Sequence, residues 1–264
     1  MGVACKVMHT TKLSININKL ATLRNARGKN NPDLVNSALR LIELGAEGIT
    51  IHPRPDERHI RRQDVYDLRK ALTEKAPHIE FNIEGYPSSD FLKMVEDVKA
   101  EQCTLVPDPP EAITSNAGWM VQPNAKLLKQ VGERLKSRGI RSSVFVDPQT
   151  ITAQDYKDLK SFGIDRVELY TERFAETFGH KENASVLNNY ARSAKEAREA
   201  GLGLNAGHDL TSENLTALIK AIPDIDEVSI GHALVADALW YGFEVTIQRY
   251  LDAIKSATTQ SRSR

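Results

Sequence analysis

A short β-type run followed by a helix-length segment recurs eight times along this chain, and that recurrence constrains the fold more than any single motif. The runs fall at 12–17, 48–51, 79–83, 104–106, 142–146, 166–169, 202–205 and 226–230. Helices are expected from 31, over 63–74, 88–100, 124–138, 152–161 and 182–200, and from 212 and 232 onward. Leu34, Ala38, Leu41 and Ile42 give the first of these one apolar face. Gly45, Gly139, Gly163 and Gly201 stand where left-handed caps would end helices before the next strand. Ser212 is the expected cap of the seventh-unit helix. The stretch 20–31, LATLRNARGKNN, has no clean period and reads as a long loop.

Strands that alternate with helices pair in parallel. Eight such units without a Gly-x-Gly-x-x-Gly fingerprint favour a closed (β/α)8 TIM barrel over an open doubly wound sheet. The 264 residues suit one barrel of roughly 250. No linker-like composition interrupts them, so one domain over 1–264 is expected, with residues 1–11 as a short N-terminal extension.

In a barrel the carboxyl ends of all strands meet at one face, so residues far apart in sequence can line one pocket. Asn16 and Asn18 close the first run; His52 and Arg54 follow the second. Glu84, Asp147, Glu168, His208 and His232 follow later ones. Histidine titrates near neutrality and can shuttle protons. A carboxyl partly buried at a strand end, as expected for Glu84, moves up toward the range of a general base. Arg54 offers a planar fork matched to phosphate. Asn205-Ala206-Gly207-His208-Asp209 is a turn of small residues that a ligand can approach closely. Gly231-His232 opens a helix whose N–H groups can hold an anion, in the strand seven and eight region where barrels often bind phosphate. The set suits proton transfer on an anionic substrate. The plain readings stay open: solvated charges at Asp56, Glu57 and Arg58, a salt bridge or cap at Glu84, and an orienting carboxylate at Glu168.

Thirty-five basic residues balance thirty-five acidic ones, which argues against broad adsorption to nucleic acid. No run reaches the roughly 18–20 apolar residues of a membrane span. With only Cys5 and Cys103, a disulfide is not expected and a reducing, cytoplasmic setting is. The N-terminal MGVACKVMHT reads as an extension rather than a signal peptide. Metal binding is the rival use of His52, His208 and His232, although no His-x-His at a strand end, Cys-x-x-Cys or His-Glu-x-x-His motif is present.

Several blocks together are specific. They are Asn16-x-Asn18, Ala21-Thr22-Leu23-Arg24-Asn25-Ala26-Arg27-Gly28, Gly48-Ile49-Thr50-Ile51-His52-x-Arg54 and Arg58-His59-Ile60. Phe81-Asn82-Ile83-Glu84, Leu105-Val106-Pro107, Asn205-Ala206-Gly207-His208 and Ile230-Gly231-His232-Ala233 complete the pattern. In these the chain resembles the pyridoxine 5'-phosphate synthase family, from about Leu13 to the final helix. The resemblance implies condensation of 3-amino-2-oxopropyl phosphate with 1-deoxy-D-xylulose 5-phosphate, with no cofactor or metal, in an octamer built from dimers. It implies acid/base roles for His52, Glu84 and His208 and transition-state support from Glu168. It places Asn16, Arg27, Gly207 to Asp209, Gly231 and His232 around the aminoketone phosphate, and Arg54, His59 and Thr114 on the deoxyxylulose phosphate. Asn18-Lys19 stands where many members have Asp-His, and the pair is assigned to substrate binding. The segments 53–62 and 107–121 are candidate lids. Other readings of the same residues are a sugar-phosphate isomerase or aldolase-like barrel, and a non-catalytic phosphometabolite-binding barrel.

Overall fold

The computed structural model describes residues 10–108 and 117–259. Its elements in order are β1 (Lys12–Asn16), α1 (Asn18–Asn25), α2 (Leu34–Glu43), β2 (Gly48–Ile51), α3 (Arg62–Lys75), β3 (Glu80–Gly85), α4 (Ser89–Val98) and β4 (Gln102–Leu105). There follow α5 (Ala125–Ser137), β5 (Arg141–Val146), α6 (Ala153–Ser161), β6 (Arg166–Tyr170), α7 (Glu172–Thr177) and α8 (Asn183–Glu199). β7 (Gly203–Gly207), α9 (Leu215–Ala221), β8 (Glu227–Ile230) and α10 (His232–Thr259) end the chain. All neighbouring strands are parallel, and β8 pairs back onto β1 to close the barrel.

Side chains alternate across each strand, and the two faces carry different chemistry. Leu13, Ile15, Ile49, Ile51, Phe81, Ile83, Cys103 and Leu105 are fully buried in the main apolar core. So are Val144, Val146, Val167, Leu169, Leu204, Ala206 and Val228, and the helices supply the facing layer. The alternate residues fill the barrel with polar groups. Ser14 and Thr50 hydroxyls meet at 2.8 Å, Asn82 donates to Thr50 at 3.3 Å, and Thr104 donates to Asn82 at 3.0 Å. Lower down, Arg166 donates to Asn205 and Arg141 to Gln102. Buried polar groups are tolerated when they are hydrogen-bonded to one another. This parity matters for the site, because it carries Asn16, His52, Glu84, Glu168 and Tyr170 into the upper lumen.

Helix starts are read well where a side chain caps them. Asp33 accepts the Asn36 N–H at 2.8 Å, Ser88 accepts that of Phe91 at 3.2 Å, and Thr152 forms a capping box with Asp155. Ser212 does not cap α9; Thr211 and Asn214 bond reciprocally instead. The expected loop at 20–31 is partly the helix α1. It lacks an amphipathic signal because its anchor is tertiary: Arg24, 2% exposed, makes a two-pronged ion pair with Asp64 of α3. The single helix expected over 182–200 is preceded by the short α7. α10 is two helices joined at Gly242, whose φ of 75° is left-handed and open to glycine at little cost. Cys103 lies buried in β4 with a free thiol. Cys5 and nearly all of the N-terminal extension lie outside the described residues.

Candidate active site

One cavity of about 600 Å³ opens at the carboxyl ends of the strands. Asn16, Asn18, Lys19, His52, Arg54, His59, Glu84, Glu168, His208, Asp209, Gly231 and His232 all line it. Twelve residues from six βα units thus converge as the barrel rule requires.

The centre is built from β1, β2 and β3. Asn16 uses its amide to donate to Glu84 Oε2 at 3.3 Å, while its carbonyl oxygen accepts the Asn18 N–H at 3.0 Å. Asn18 in turn accepts the backbone N–H of His52 at 2.9 Å. Asn18 therefore holds the first residue after β2, a positioning task beyond the substrate contact expected for it. His52 Nδ1 lies 3.8 Å from Glu84 Oε2. Burial, then the nearby Arg54, drives the His52 imidazole well below its ordinary value. Burial, then the carboxylates of Asp108 and Glu227, pushes Glu84 up to about 8. At neutral pH the pair is thus an uncharged imidazole beside an uncharged carboxyl. A carboxyl at about 8 can give or take a proton near neutrality, and the neutral imidazole beside it can accept one.

Glu168 sits deeper on β6, 2% exposed, and its Oε2 has no hydrogen-bond partner among the described residues. Burial, then the neighbouring Glu84, raises its pKa strongly. A Cβ on Gly207 would overlap Glu168 Oε1, so the glycine of β7 is required by the close approach of this carboxyl. Gly207 therefore acts from behind Glu168 and is not part of the cavity lining. Gly231 likewise fits against Asn16, whose Cβ would be 3.1 Å from an added methyl.

His208 follows β7 and is half-buried; burial lowers its pKa, opposed by Asp209, Asp108 and Glu172. Its ring lies 5.2 Å from those of Phe145 and Tyr170. Gly231, His232 and Ala233 bring the start of α10 to the cavity, where first-turn N–H groups lack intrahelical acceptors. The second charged wall comes from the loop after β2. Arg54 is buried and pairs with Asp108 at 2.9 Å. His59 has its pKa lowered to about 4 by burial and by Arg54 and Lys19.

Arg27 is exposed and does not line the cavity. Thr114, and most of the 107–121 lid candidate, lie outside the described residues. Sequence reasoning missed Asp108, Tyr170 and Glu172. The Tyr170 hydroxyl donates to Glu172, and both line the cavity. Their signal was position alone: Tyr170 ends β6 and Glu172 opens α7, within four residues of Glu168. Among the described residues no group of three or more His, Cys, Asp and Glu side chains is arranged to hold a metal ion.

The profile of the family described as "Pyridoxal phosphate biosynthesis protein PdxJ" matches residues 13–256. The chain is 54% identical over 245 residues to the pyridoxine 5'-phosphate synthase of Cytophaga hutchinsonii, covering 93% of this chain and 99% of that protein. It is 53% identical over 247 residues to the protein of the same name from Bacteroides thetaiotaomicron, covering 93% and 100%. Among solved structures, 3-hexulose-6-phosphate synthase from Salmonella typhimurium superposes with a TM-score of 0.64 at 14% identity, covering 94% of this chain and 100% of that one. Tryptophan synthase from M. tuberculosis gives 0.64 at 12% identity, covering 95% and 96%. At such identities the two superpositions speak to the barrel alone.

Proposed function

The chain belongs to the PdxJ family of pyridoxal phosphate biosynthesis proteins, and from that membership we infer that it is a pyridoxine 5'-phosphate synthase. It condenses 3-amino-2-oxopropyl phosphate with 1-deoxy-D-xylulose 5-phosphate to give pyridoxine 5'-phosphate, phosphate and water. The observation that carries the reading to these residues is the His52–Glu84 pair, uncharged and 3.8 Å apart at the head of one cavity.

The reaction needs several proton transfers in succession. An amine adds to a ketone and water leaves; phosphate is eliminated; an aldol-type closure is followed by aromatisation. Glu84 donates the proton that lets a hydroxyl leave as water, and His52 removes one from carbon or nitrogen. Each is regenerated by the complementary step. His208, on the opposite wall, serves a second site of proton exchange. Glu168, whose carboxyl burial and Glu84 push toward the protonated form, offers a hydrogen bond to oxygen that gains negative charge in the transition state. The N-terminus of α10 with Gly231 and His232, together with Asn16 and Asp209, serves the aminoketone phosphate. Arg54, His59, Thr114 and Lys19 serve the deoxyxylulose phosphate, and Asn18 keeps His52 in place. Phosphate arms held at both walls supply remote binding energy that orients the reacting carbons.

The protein works as one barrel domain with a short N-terminal extension, in the cytoplasm, as an octamer built from dimers. Exposed Leu239, Trp240, Tyr241 and Val245 on α10 support an assembly of copies. Among the described residues no helix is long and apolar enough to cross a membrane.

The test is substrate dependence. The two phosphate esters together yield pyridoxine 5'-phosphate, and neither alone is consumed. Turnover of one ester by itself would favour an isomerase or aldolase-like barrel. Tight binding of one ester without any turnover of the pair would favour a binding protein.

A further inference from the structure

His208 stands on a backbone that side-chain-bearing residues avoid: its φ is 79°, and that of Asp209 is 54°. Two consecutive left-handed non-glycine residues persist only where their surroundings hold them. The holder on one side is Asn214, 3% exposed, whose amide donates to the Asp209 carbonyl at 3.1 Å while Thr211 fixes its orientation. The holder on the other side is Thr171, fully buried between β6 and α7. Its backbone N–H donates to the Gly207 carbonyl at 2.9 Å. Its hydroxyl lies 2.7 Å from that same carbonyl oxygen and also contacts the carbonyl oxygen of His208.

Thr171 occupies the N-cap position of α7, where a threonine oxygen ordinarily accepts a helix N–H, yet it makes no such bond. Its hydroxyl is turned across to β7 instead. Since the backbone N–H already serves Gly207, the contribution peculiar to the hydroxyl is at His208. Tyr170, the preceding residue, places its ring 5.2 Å from the imidazole, and Phe145 of β5 lies at the same distance. The end of β6 thus grips the His208 backbone through one residue and its ring through the residue before.

We propose that Thr171 is a positioning residue for the reaction, its hydroxyl latching the left-handed turn that aims His208 at the substrate. This rests on His208 acting as an acid/base group in the synthase reading. The latch matters because a catalytic side chain displaced by a fraction of an ångström loses rate while the substrates still bind.

The experiment is a double-variant cycle on the full chain with both substrates. Thr171→Val removes the hydroxyl at nearly constant shape and is expected to lower kcat about tenfold with both KM values within about twofold. Thr171→Ser keeps the hydroxyl and is expected to restore kcat to within about twofold of the original. In a His208→Ala background, Thr171→Val is expected to change nothing further, because the group it aims is gone. Undiminished kcat in Thr171→Val, failure of serine to rescue, or independent losses in the double variant would each overturn the proposal. So would a Thr171→Val protein that does not fold, provided Thr171→Ala also fails, since the residue would then be structural. Full activity in His208→Ala would instead remove the reading on which the latch depends.

Discussion

Replacing Gly207 by alanine tests whether the deep carboxyl of Glu168 contributes to the reaction. The backbone of Gly207 is not left-handed, so alanine meets no conformational penalty there, and the effect comes from packing alone. The new methyl would overlap Glu168 Oε1 and touch the Ser229 carbonyl at 3.4 Å. Glu168 is 2% exposed and Ser229 is held in β8, so the carboxyl must move, by about 1 Å to reach ordinary contact. Overpacking of this size costs about 1–3 kcal/mol. At about 3 °C per kcal/mol, Tm should fall by about 3–9 °C. A displacement of about 1 Å at a group that must meet a developing charge should lower kcat by roughly 10²-fold. Thermal denaturation and steady-state product formation measure the two effects on one preparation. A second substitution separates them: Glu168→Asp withdraws the carboxyl by about one C–C bond, or 1.5 Å. The Gly207→Ala/Glu168→Asp protein should recover its Tm and remain slow. Unchanged Tm and kcat in Gly207→Ala would refute the packing argument. A fallen Tm with unchanged kcat would refute a role for Glu168 in the transition state.

The other expectations are simpler. His52→Ala, Glu84→Ala and His208→Ala should each fold, by circular dichroism, and each lose about 10²-fold or more in kcat; normal turnover in a folded Glu84→Ala protein would remove it from the acid/base set. Glu84 has a folded pKa of about 8 against an ordinary 4.5, so its contribution to stability is complete below 4.5 and disappears as pH rises through 8. The native state binds the proton more tightly in that window, so Tm should decline from pH 5 to 9 and the decline should be shallower in Glu84→Gln; parallel curves would contradict the raised pKa. Arg54→Lys should raise KM for the deoxyxylulose phosphate about tenfold more than for the aminoketone phosphate, because lysine cannot fork between Asp108 and a phosphate. Equal losses would refute that division of the cavity.

The barrel was legible because its signals are local. Each strand is apolar on its outward face, and Gly45, Gly139, Gly163 and Gly201 all adopt the left-handed φ expected of helix ends. α1 was missed because Arg24 replaces an apolar anchor with an ion pair to Asp64, 40 residues away. Strand-end placement correctly brought His52, Glu84, Glu168 and His208 to one cavity. It could not show that Asn18 would hold the His52 N–H, or that Asp108 would pair with Arg54. Those roles arise between loops that meet only in the folded chain. Nor could it show how far Glu84 is raised, since that depends on burial, on Asp108 from the segment after β4 and on Glu227 of β8.

In the proposed reaction this one cavity closes the pyridine ring through the His52–Glu84 pair. Its most direct test follows pyridoxine 5'-phosphate and released phosphate together, with both substrates, in the original protein and in Glu84→Gln at equal folded concentration. Equimolar release is expected in the original protein, and loss of both products in the variant. Equal rates in the two proteins, or phosphate released without pyridoxine 5'-phosphate in the original, would contradict the proposed reaction.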